Sequence, residues 1–219
     1  MIVIEYFINF GKYIPALLKG ARLTMIIALG GVALAVVIGV VLCIFAISGI
    51  RILQRIANFY ITMVRGIPLM ILALFLYFGV IKNSLNLVAS AILILSINAS
   101  AYMAEIFRAG IQAIDPGQME AARSLGLGYF RTMQKIILPQ AFKIMIPSLM
   151  NQFISSLKDT AILSAISVNE LTMTAKVIIA RNYKAFELYS YAAIMYLVII
   201  AVLTYLSKIV ERKLSYDKR

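Results

Sequence analysis

The chain contains 219 residues, of which 63% are hydrophobic and only 14% are charged, and it carries a formal net charge of +12. Soluble domains are about half apolar, so this composition excludes an ordinary soluble fold. The sequence has no histidine and a single cysteine, Cys43, which excludes histidine acid–base chemistry and disulfides within the chain and argues against a zinc site.

Apolar runs long enough to cross a bilayer recur along the sequence, since a spanning helix needs about 20 predominantly apolar residues. These runs predict an all-α integral membrane protein. Because the sequence shows no linker and no convincing repeat, we expect one domain, residues 1–219. Ahead of the first span, residues 4–19 are too short and too interrupted to cross, and we expect an interfacial helix there. The five predicted transmembrane helices cover residues 23–47, 56–81, 87–107, 142–166 and 188–210.

Two of the predicted spans contain residues that are unusual in a membrane. Arg65 and Pro68 interrupt the second span and predict a kink, because proline removes a backbone donor. The fourth span is too polar for a helix surrounded by lipid, so either it lines a protein interior or it is not a span. After it, residues 167–187 mix charged, aromatic and apolar side chains, and we expect them to pack over the outer mouth of the bundle.

Lysine and arginine are distributed unevenly between the two sides of this arrangement. With the amino terminus outside, 12 of them fall on the inner side and 7 on the outer side, while Arg65 and Lys158 lie inside spans. Inner loops of membrane proteins carry the excess of positive charge. The bias favours an outer amino terminus and a cytoplasmic carboxy terminus. Because the basic residues are spread between the apolar runs and form no single patch, nucleic acid is not an expected partner.

The inner connection, about residues 109–140, is far longer than the usual link between bundle helices, and loops of this length tend to be functional. It is also predicted to be folded. Asp115-Pro116-Gly117 indicates a turn, and residues 118–125 (QMEAARSL) read as a helix that Gly126 stops. A second amphipathic segment, residues 129–138, is expected to end at Pro139. An ordinary amphipathic helix on the inner leaflet is the alternative.

This connection carries the motif Glu120-Ala121-Ala122, then Gly126 after three intervening residues, then nine residues to Ile136 and on to Leu138-Pro139. The pattern resembles the EAA loop of permease subunits of ABC importers at every marked position. Three further stretches resemble the polar amino-acid branch of that family. They are residues 65–69 (RGIPL), 100–108 (SAYMAEIFR) and 153–160 (FISSLKDT), and the resemblance covers most of residues 65–166.

The resemblance implies a five-helix permease in a prokaryotic plasma membrane, working with two cytoplasmic ATP-binding cassette ATPase subunits and an extracytoplasmic solute-binding protein. It implies that Glu120, Ala121, Ala122 and Gly126 contact the ATPase. Because the sequence has no GxxxxGK[ST] run, we expect no cofactor in this chain, with ATP and Mg²⁺ bound by the partner. One copy has too few spans to enclose a pathway and symmetric pairs are the commonest closed assembly, so a homodimer is predicted. A related second permease is the alternative.

Charged residues inside the predicted spans are candidates for substrate binding, since a charge at the bilayer centre is costly. They are Arg65, Glu105, Lys158 and Asp159, and their charges sum to zero. Asn98, Tyr102 and Glu105 recur at i, i+4 and i+7 and predict one cavity-lining helix face. Glu105 could instead pair with Arg108 at i+3. Structural ion pairing is the alternative for Lys158 and Asp159, which point in different directions, and a structural anchor is the alternative for Arg65.

These features favour an importer permease that is not itself an enzyme. A secondary transporter is disfavoured because paired repeats are absent from the sequence, and a membrane-embedded enzyme because no nucleophile and base stand together. Two carboxylates near the candidate site indicate a basic amino acid (arginine, lysine or histidine) as substrate. Glutamine or another polar amino acid is the alternative, since the outer loops are themselves positive.

Overall fold

A computed structural model describes residues 2–81 and 84–216, with side chains described from 10 to 81 and from 84 to 213. Within those ranges the chain consists of helices joined by short connections, with no strand. Three of these helices are long and apolar enough to cross a membrane, and two bent helix pairs raise the number to as many as five. The all-α membrane fold predicted from the sequence is confirmed.

Helix α1 spans Ile2–Ile47 and continues through Pro15 without a break. The amino-terminal segment that we expect to be interfacial therefore belongs to the same continuous helix as the first span. The part of α1 whose side chains are described, Phe10–Ile47, is apolar enough to span a membrane and has 38 residues. About 20 residues suffice to cross the hydrocarbon core, so this helix is longer than one bilayer crossing requires.

The second span is two helices. Helix α2, Arg51–Gly66, ends just before Pro68, and α3, Leu69–Leu74, continues as a π-helix over Phe75–Ile81. The two arms meet at 107°. Pro68 precedes the first residue of α3, where a missing N–H costs nothing, and Gly66 ends α2. The predicted kink is confirmed, and it is close to a right angle.

Helix α4, Leu87–Gln112, lies at the centre of the bundle and packs along α1. Its amino terminus is capped by the Asn86 side chain, which accepts a hydrogen bond from the Ala89 amide at 2.8 Å. Small residues allow the close contact with α1. A Cβ at Gly39 of α1 would lie 2.7 Å from the Met103 Cβ of α4.

The helical segment that contains the fourth predicted span begins earlier than that span. Helix α5, Pro116–Ser124, is followed by α6, Tyr129–Thr132, a π-turn over Met133–Ile137, and α7, Leu138–Asp159. Helical structure is continuous from Tyr129 to Ile166, so the predicted end at Pro139 is wrong. Pro139 sits in the first turn of α7 directly after the π-turn, where proline is tolerated. The Gln140 side chain donates to the Ile136 carbonyl at 2.9 Å.

The remaining helices are α8, Leu171–Asn182, and α9, Ala185–Tyr216. Helix α8 covers much of the segment that we expect over the outer mouth, and it packs between α1 and α9. The fully buried Glu170 carboxylate holds its start, accepting from the Met173 amide at 2.7 Å, the Thr172 amide at 2.9 Å and the Tyr196 hydroxyl at 2.8 Å. The Thr24 hydroxyl of α1 accepts from the Leu171 amide at 3.2 Å.

Candidate functional site

Three helices bring polar stripes together in the middle of the bundle. The α4 stripe is the predicted one, and the other two have the same i, i+4, i+7 spacing, which places their members on one helix face. The members are Asn58, Thr62 and Arg65 on α2; Asn98, Tyr102 and Glu105 on α4; and Ser148, Gln152, Ser155 and Asp159 on α7. The fourth predicted span is thus too polar for lipid because one of its faces lines the protein interior.

The stripes line three neighbouring open cavities of about 490, 540 and 470 Å³. The first, the α4–α7 cavity, is lined by Glu105 and Gln152. The second, the α2–α4 cavity, is lined by Thr62 and Glu105, and the third, the kink cavity, by the α2–α3 break together with Asp159. Volumes of this size are typical of small-molecule sites. Arg65 and Tyr102 line all three cavities.

An ion cluster joins these cavities. The Arg108 guanidinium donates twice to the Glu105 carboxylate, from Nη2 to Oε2 at 2.7 Å and from Nε to Oε1 at 3.2 Å. Arg65 Nη1 lies 3.7 Å from the same Oε2, and the Arg65 guanidinium lies 5.4 Å from the centre of the Tyr102 ring. Glu105 therefore pairs with Arg108, as the alternative interpretation of the sequence predicts. The same carboxylate also lines the α4–α7 and α2–α4 cavities.

The structure separates Lys158 from Asp159. Asp159 lines the kink cavity, whereas the Lys158 side chain is exposed on an adjacent face of α7. Successive residues on a helix point about 100° apart, which accounts for the separation. Of the six predicted substrate-binding residues, five therefore line cavities that share Arg65 and Tyr102, namely Asn98, Tyr102, Glu105, Arg65 and Asp159, and Lys158 lines none of the three.

The sequence reading missed Gln152 and Ser155 as site residues, although Gln152 lines two of the cavities. The signal was present in the spacing of Ser148, Gln152, Ser155 and Asp159, which follows a helical face. The α2 stripe had the same signal. In that stripe only Arg65 is charged, so charge alone marks Arg65 and not Asn58 or Thr62.

The connection of residues 109–140 folds as a helical hairpin that contains the predicted helix and the predicted stop at Gly126. Asp115 caps α5 by accepting from the Gly117 amide at 2.8 Å, and α5 ends at a turn in which Gly126 has φ +84°. The Leu127 amide donates to the Ala122 carbonyl at 3.1 Å, and the Gly126 amide to the Arg123 carbonyl at 3.0 Å. These two bonds form the usual C-cap that favours glycine at the left-handed position.

The hairpin presents apolar side chains to its surroundings. Leu125 is 84% exposed and Phe130 is 79% exposed. Of the predicted contact residues, Glu120, Ala121 and Gly126 are exposed, whereas Ala122 is buried inside the hairpin. The hairpin connects α4 to α7, and both helices line the α4–α7 cavity, α4 through Gly110 and α7 through Ile144.

Known proteins match this chain over most of its length. Residues 44–216 match the family described as "Binding-protein-dependent transport system inner membrane component". The arginine transport system permease protein ArtQ of Bacillus subtilis (strain 168) is 37% identical over 92% of this chain and 94% of its own. The glutamine transport system permease protein GlnP of Escherichia coli (strain K12) is also 37% identical, with the same coverage.

Solved structures also match. A chain of an amino acid ABC transporter crystallised with histidines is 38% identical, with a TM-score of 0.89 over 94% of this chain and 98% of that one. An inward-facing form of the MetNI methionine ABC transporter superposes with a TM-score of 0.76 at 18% identity, over 93% of this chain and 98% of that chain. The second match supports the fold alone.

Proposed function

Because the chain belongs to the family of binding-protein-dependent transport system inner membrane components and is a permease subunit of an amino-acid ABC importer, we propose that it forms the pathway for a polar, net-neutral amino acid. A separate ATPase supplies the energy. The observation that carries the proposal is the position of the α4–α7 cavity between the two helices that hold the hairpin.

Coupling follows from that position. A partner that moves the α5–α6 hairpin moves the ends of α4 and α7, and the cavity between those ends changes shape with them. The exposed Leu125 and Phe130 give the hairpin an apolar surface for the ATPase. Apolar side chains of this size are stabilised when a partner removes them from water. Glu120, Ala121 and Gly126 lie on the exposed side of the same turn, and Ala122 supports it from inside.

The charges in the cavities support a net-neutral substrate. Glu105 is held by Arg108 at 2.7 Å and faces Arg65 at 3.7 Å, so this carboxylate already has two cations. The kink cavity then offers one cation, Arg65, and one anion, Asp159, among the polar Asn98 and Gln152. A zwitterion with an uncharged polar side chain, such as glutamine, complements this arrangement.

A basic amino acid is the second candidate. Glu105 is 26% exposed in its side chain and lines two of the cavities, so it can face a ligand despite its partners. The relative ArtQ is named for arginine transport. A cationic substrate would need a second anion beside Asp159, and Glu105 would have to supply it.

We propose that two copies of this chain assemble with two ATPase subunits and receive substrate from an extracytoplasmic binding protein. The amino terminus is outside and the carboxy terminus cytoplasmic. A closed pair of copies gives every polar stripe an equivalent across the axis. Native mass spectrometry of the purified complex is expected to show two copies of this chain, and one copy together with a different permease would contradict the pairing.

The function is tested by uptake into proteoliposomes that contain this chain, its ATPase and its binding protein. We expect ATP-dependent accumulation of radiolabelled glutamine, with weaker accumulation of arginine, lysine and histidine. Strong arginine uptake without glutamine uptake would favour the second candidate. An intact complex that hydrolyses ATP but accumulates none of the radiolabelled amino acids would contradict the proposed function itself.

A further inference from the structure

The ion cluster at Glu105 contains one more positive charge than negative charge. Arg65 and Arg108 both approach this single carboxylate, and the three side chains are 44%, 38% and 26% exposed for Arg65, Arg108 and Glu105. A surplus cation between membrane-spanning helices is costly unless a counter-charge arrives. Among the described residues the cluster therefore carries a net positive charge, and Arg65 can accept a further anionic partner.

The two arginines are not equivalent in this cluster. Arg108 makes a two-point contact with Glu105, at 2.7 and 3.2 Å, which is the strong geometry for a guanidinium and a carboxylate. Arg65 Nη1 lies 3.7 Å from Glu105 Oε2, which is beyond hydrogen-bond range. Among the residues whose side chains are described, Arg65 thus keeps its donors available, while those of Arg108 that face Glu105 are in use.

The setting of Arg65 directs these donors into the cavities. It occupies the last turn of α2, where a cation is favoured by the helix dipole, and the chain turns away by 107° just after it. The Tyr102 ring lies 5.4 Å from its guanidinium carbon. Arg65 also lines all three cavities, including the kink cavity that contains Asp159.

We propose that Arg65 binds the α-carboxylate of the transported amino acid, exchanging its long contact with Glu105 for a direct one with the substrate. The assignment rests on the proposed function, since it requires an amino acid in these cavities. Arg108 is a positioning residue, because it neutralises Glu105 and keeps that carboxylate from holding Arg65. Asp159, across the kink cavity, is available to the substrate ammonium.

The test is equilibrium dialysis of radiolabelled glutamine and arginine with the purified complex of permease and ATPase, without binding protein. Each amino acid is compared with its α-carboxamide, glutaminamide or argininamide, as competitor. The unsubstituted complex should prefer the carboxylate form. Arg65→Gln should weaken binding of the carboxylate form by about 30-fold or more, as expected for loss of a buried charge pair, and leave the carboxamide nearly unchanged.

Two further variants separate this role from a structural one. Arg65→Lys keeps the charge but loses the two-point geometry, so an intermediate preference for the carboxylate is expected. Arg55→Gln, an exposed arginine on the same helix, should leave the preference intact. A loss of affinity that is equal for both ligand forms would indicate only a structural role for Arg65.

The outcomes also distinguish this assignment from the proposed function. A complex that transports an amino acid but binds its acid and amide forms equally, or binds neither, overturns the role of Arg65 and leaves the permease function standing. A complex that neither transports nor binds any amino acid overturns both.

Discussion

Glu170 shows how one buried side chain fixes the position of a helix. Its carboxylate is fully buried and accepts three hydrogen bonds, from the Thr172 and Met173 amides and from the Tyr196 hydroxyl of α9. Replacing Glu170 by alanine removes the acceptor of the two part-buried amides at the start of α8, at a cost of about 1–3 kcal/mol for each amide left without a partner, while the Tyr196 hydroxyl keeps its contact with Thr172 Oγ1 at 3.3 Å. We expect Glu170→Ala to lower the midpoint of thermal denaturation in detergent markedly.

Glu187 provides the matched control for Glu170. It also lies at a helix start, in the first turn of α9, but it makes a partly exposed ion pair with Lys184 at 3.4 Å. Such pairs contribute at most about 1 kcal/mol, so Glu187→Ala should shift the midpoint only slightly. Equal shifts for Glu170→Ala and Glu187→Ala would refute the anchoring role of Glu170.

The sequence predicted the candidate site only in part, and the reason is visible in individual residues. Asn98, Tyr102 and Glu105 were found because a helix repeats its faces locally, and the Glu105–Arg108 pair is local too. Arg65 is 40 positions away from Glu105, and only the packing of α2 on α4 brings them together. That packing is fixed by contacts such as the Tyr60 hydroxyl with Ser100 Oγ at 2.9 Å, for which the sequence carries no local signal.

At the scale of elements, the turn at Gly126 is the feature most sensitive to substitution. Its φ of +84° is a conformation that costs other residues about 1–2 kcal/mol. Gly126→Ala should distort the hairpin and reduce substrate-stimulated ATP hydrolysis in the reconstituted complex, while the chain still inserts and assembles. The strain is backbone strain alone, because a Cβ there would meet no atom within 4 Å.

Gly128 is the control for this variant. It lies two residues further on, a Cβ added there would likewise meet no atom within 4 Å, and its φ is −67°. Gly128→Ala should therefore leave stimulated ATP hydrolysis nearly unchanged. Loss of coupling in both variants, or in neither, would mean that the left-handed turn at Gly126 is not what the ATPase requires.

The contact between α1 and α4 depends on Gly39. A Cβ there would lie 2.7 Å from the Met103 Cβ and 3.2 Å from the Ser100 carbonyl oxygen and the Ala104 amide nitrogen. Gly39→Ala should force the helices apart, at a cost of about 1–3 kcal/mol, and lower thermal stability in detergent. Gly11→Ala, in the same helix with open space around it, should be neutral or slightly stabilising. A larger loss of thermal stability in Gly11→Ala than in Gly39→Ala would contradict this packing.

Pro68 and Pro139 show why the sequence predicts some helix ends correctly and others wrongly. Pro68 follows Gly66 and an arginine at a helix end, and the chain breaks there at 107° as expected. Pro139 was expected to end a helix, but a π-turn over Met133–Ile137 precedes it and helical structure continues. The residue pattern marks both prolines as candidate breaks. Whether a proline breaks a helix depends on how the preceding turn is hydrogen bonded, which the residue pattern does not specify.

At the scale of the whole molecule, the bundle joins a polar interior to an apolar hairpin through α4 and α7. The α1, α4 and α9 helices are the continuous apolar spans, and the broken helix pairs carry the polar stripes of α2 and α7. Continuous helices form the scaffold, and the interrupted ones bring Arg65 and Asp159 to the cavities. The continuous apolar helices explain why the sequence predicts a membrane fold. The interrupted helices explain why the fourth predicted span contains so many polar residues.

The central claim is that the faces carrying the polar stripes line the amino-acid pathway, and protection from a thiol reagent tests it most directly. Gln152 lines two cavities, whereas the adjacent Asn151 is exposed on another face of α7. Cys43 is buried, so the unsubstituted protein supplies the background. Saturating glutamine should slow labelling of the Gln152→Cys variant several-fold and leave the Asn151→Cys variant unchanged. Equal labelling of the Gln152→Cys variant with and without any transported amino acid would contradict the account.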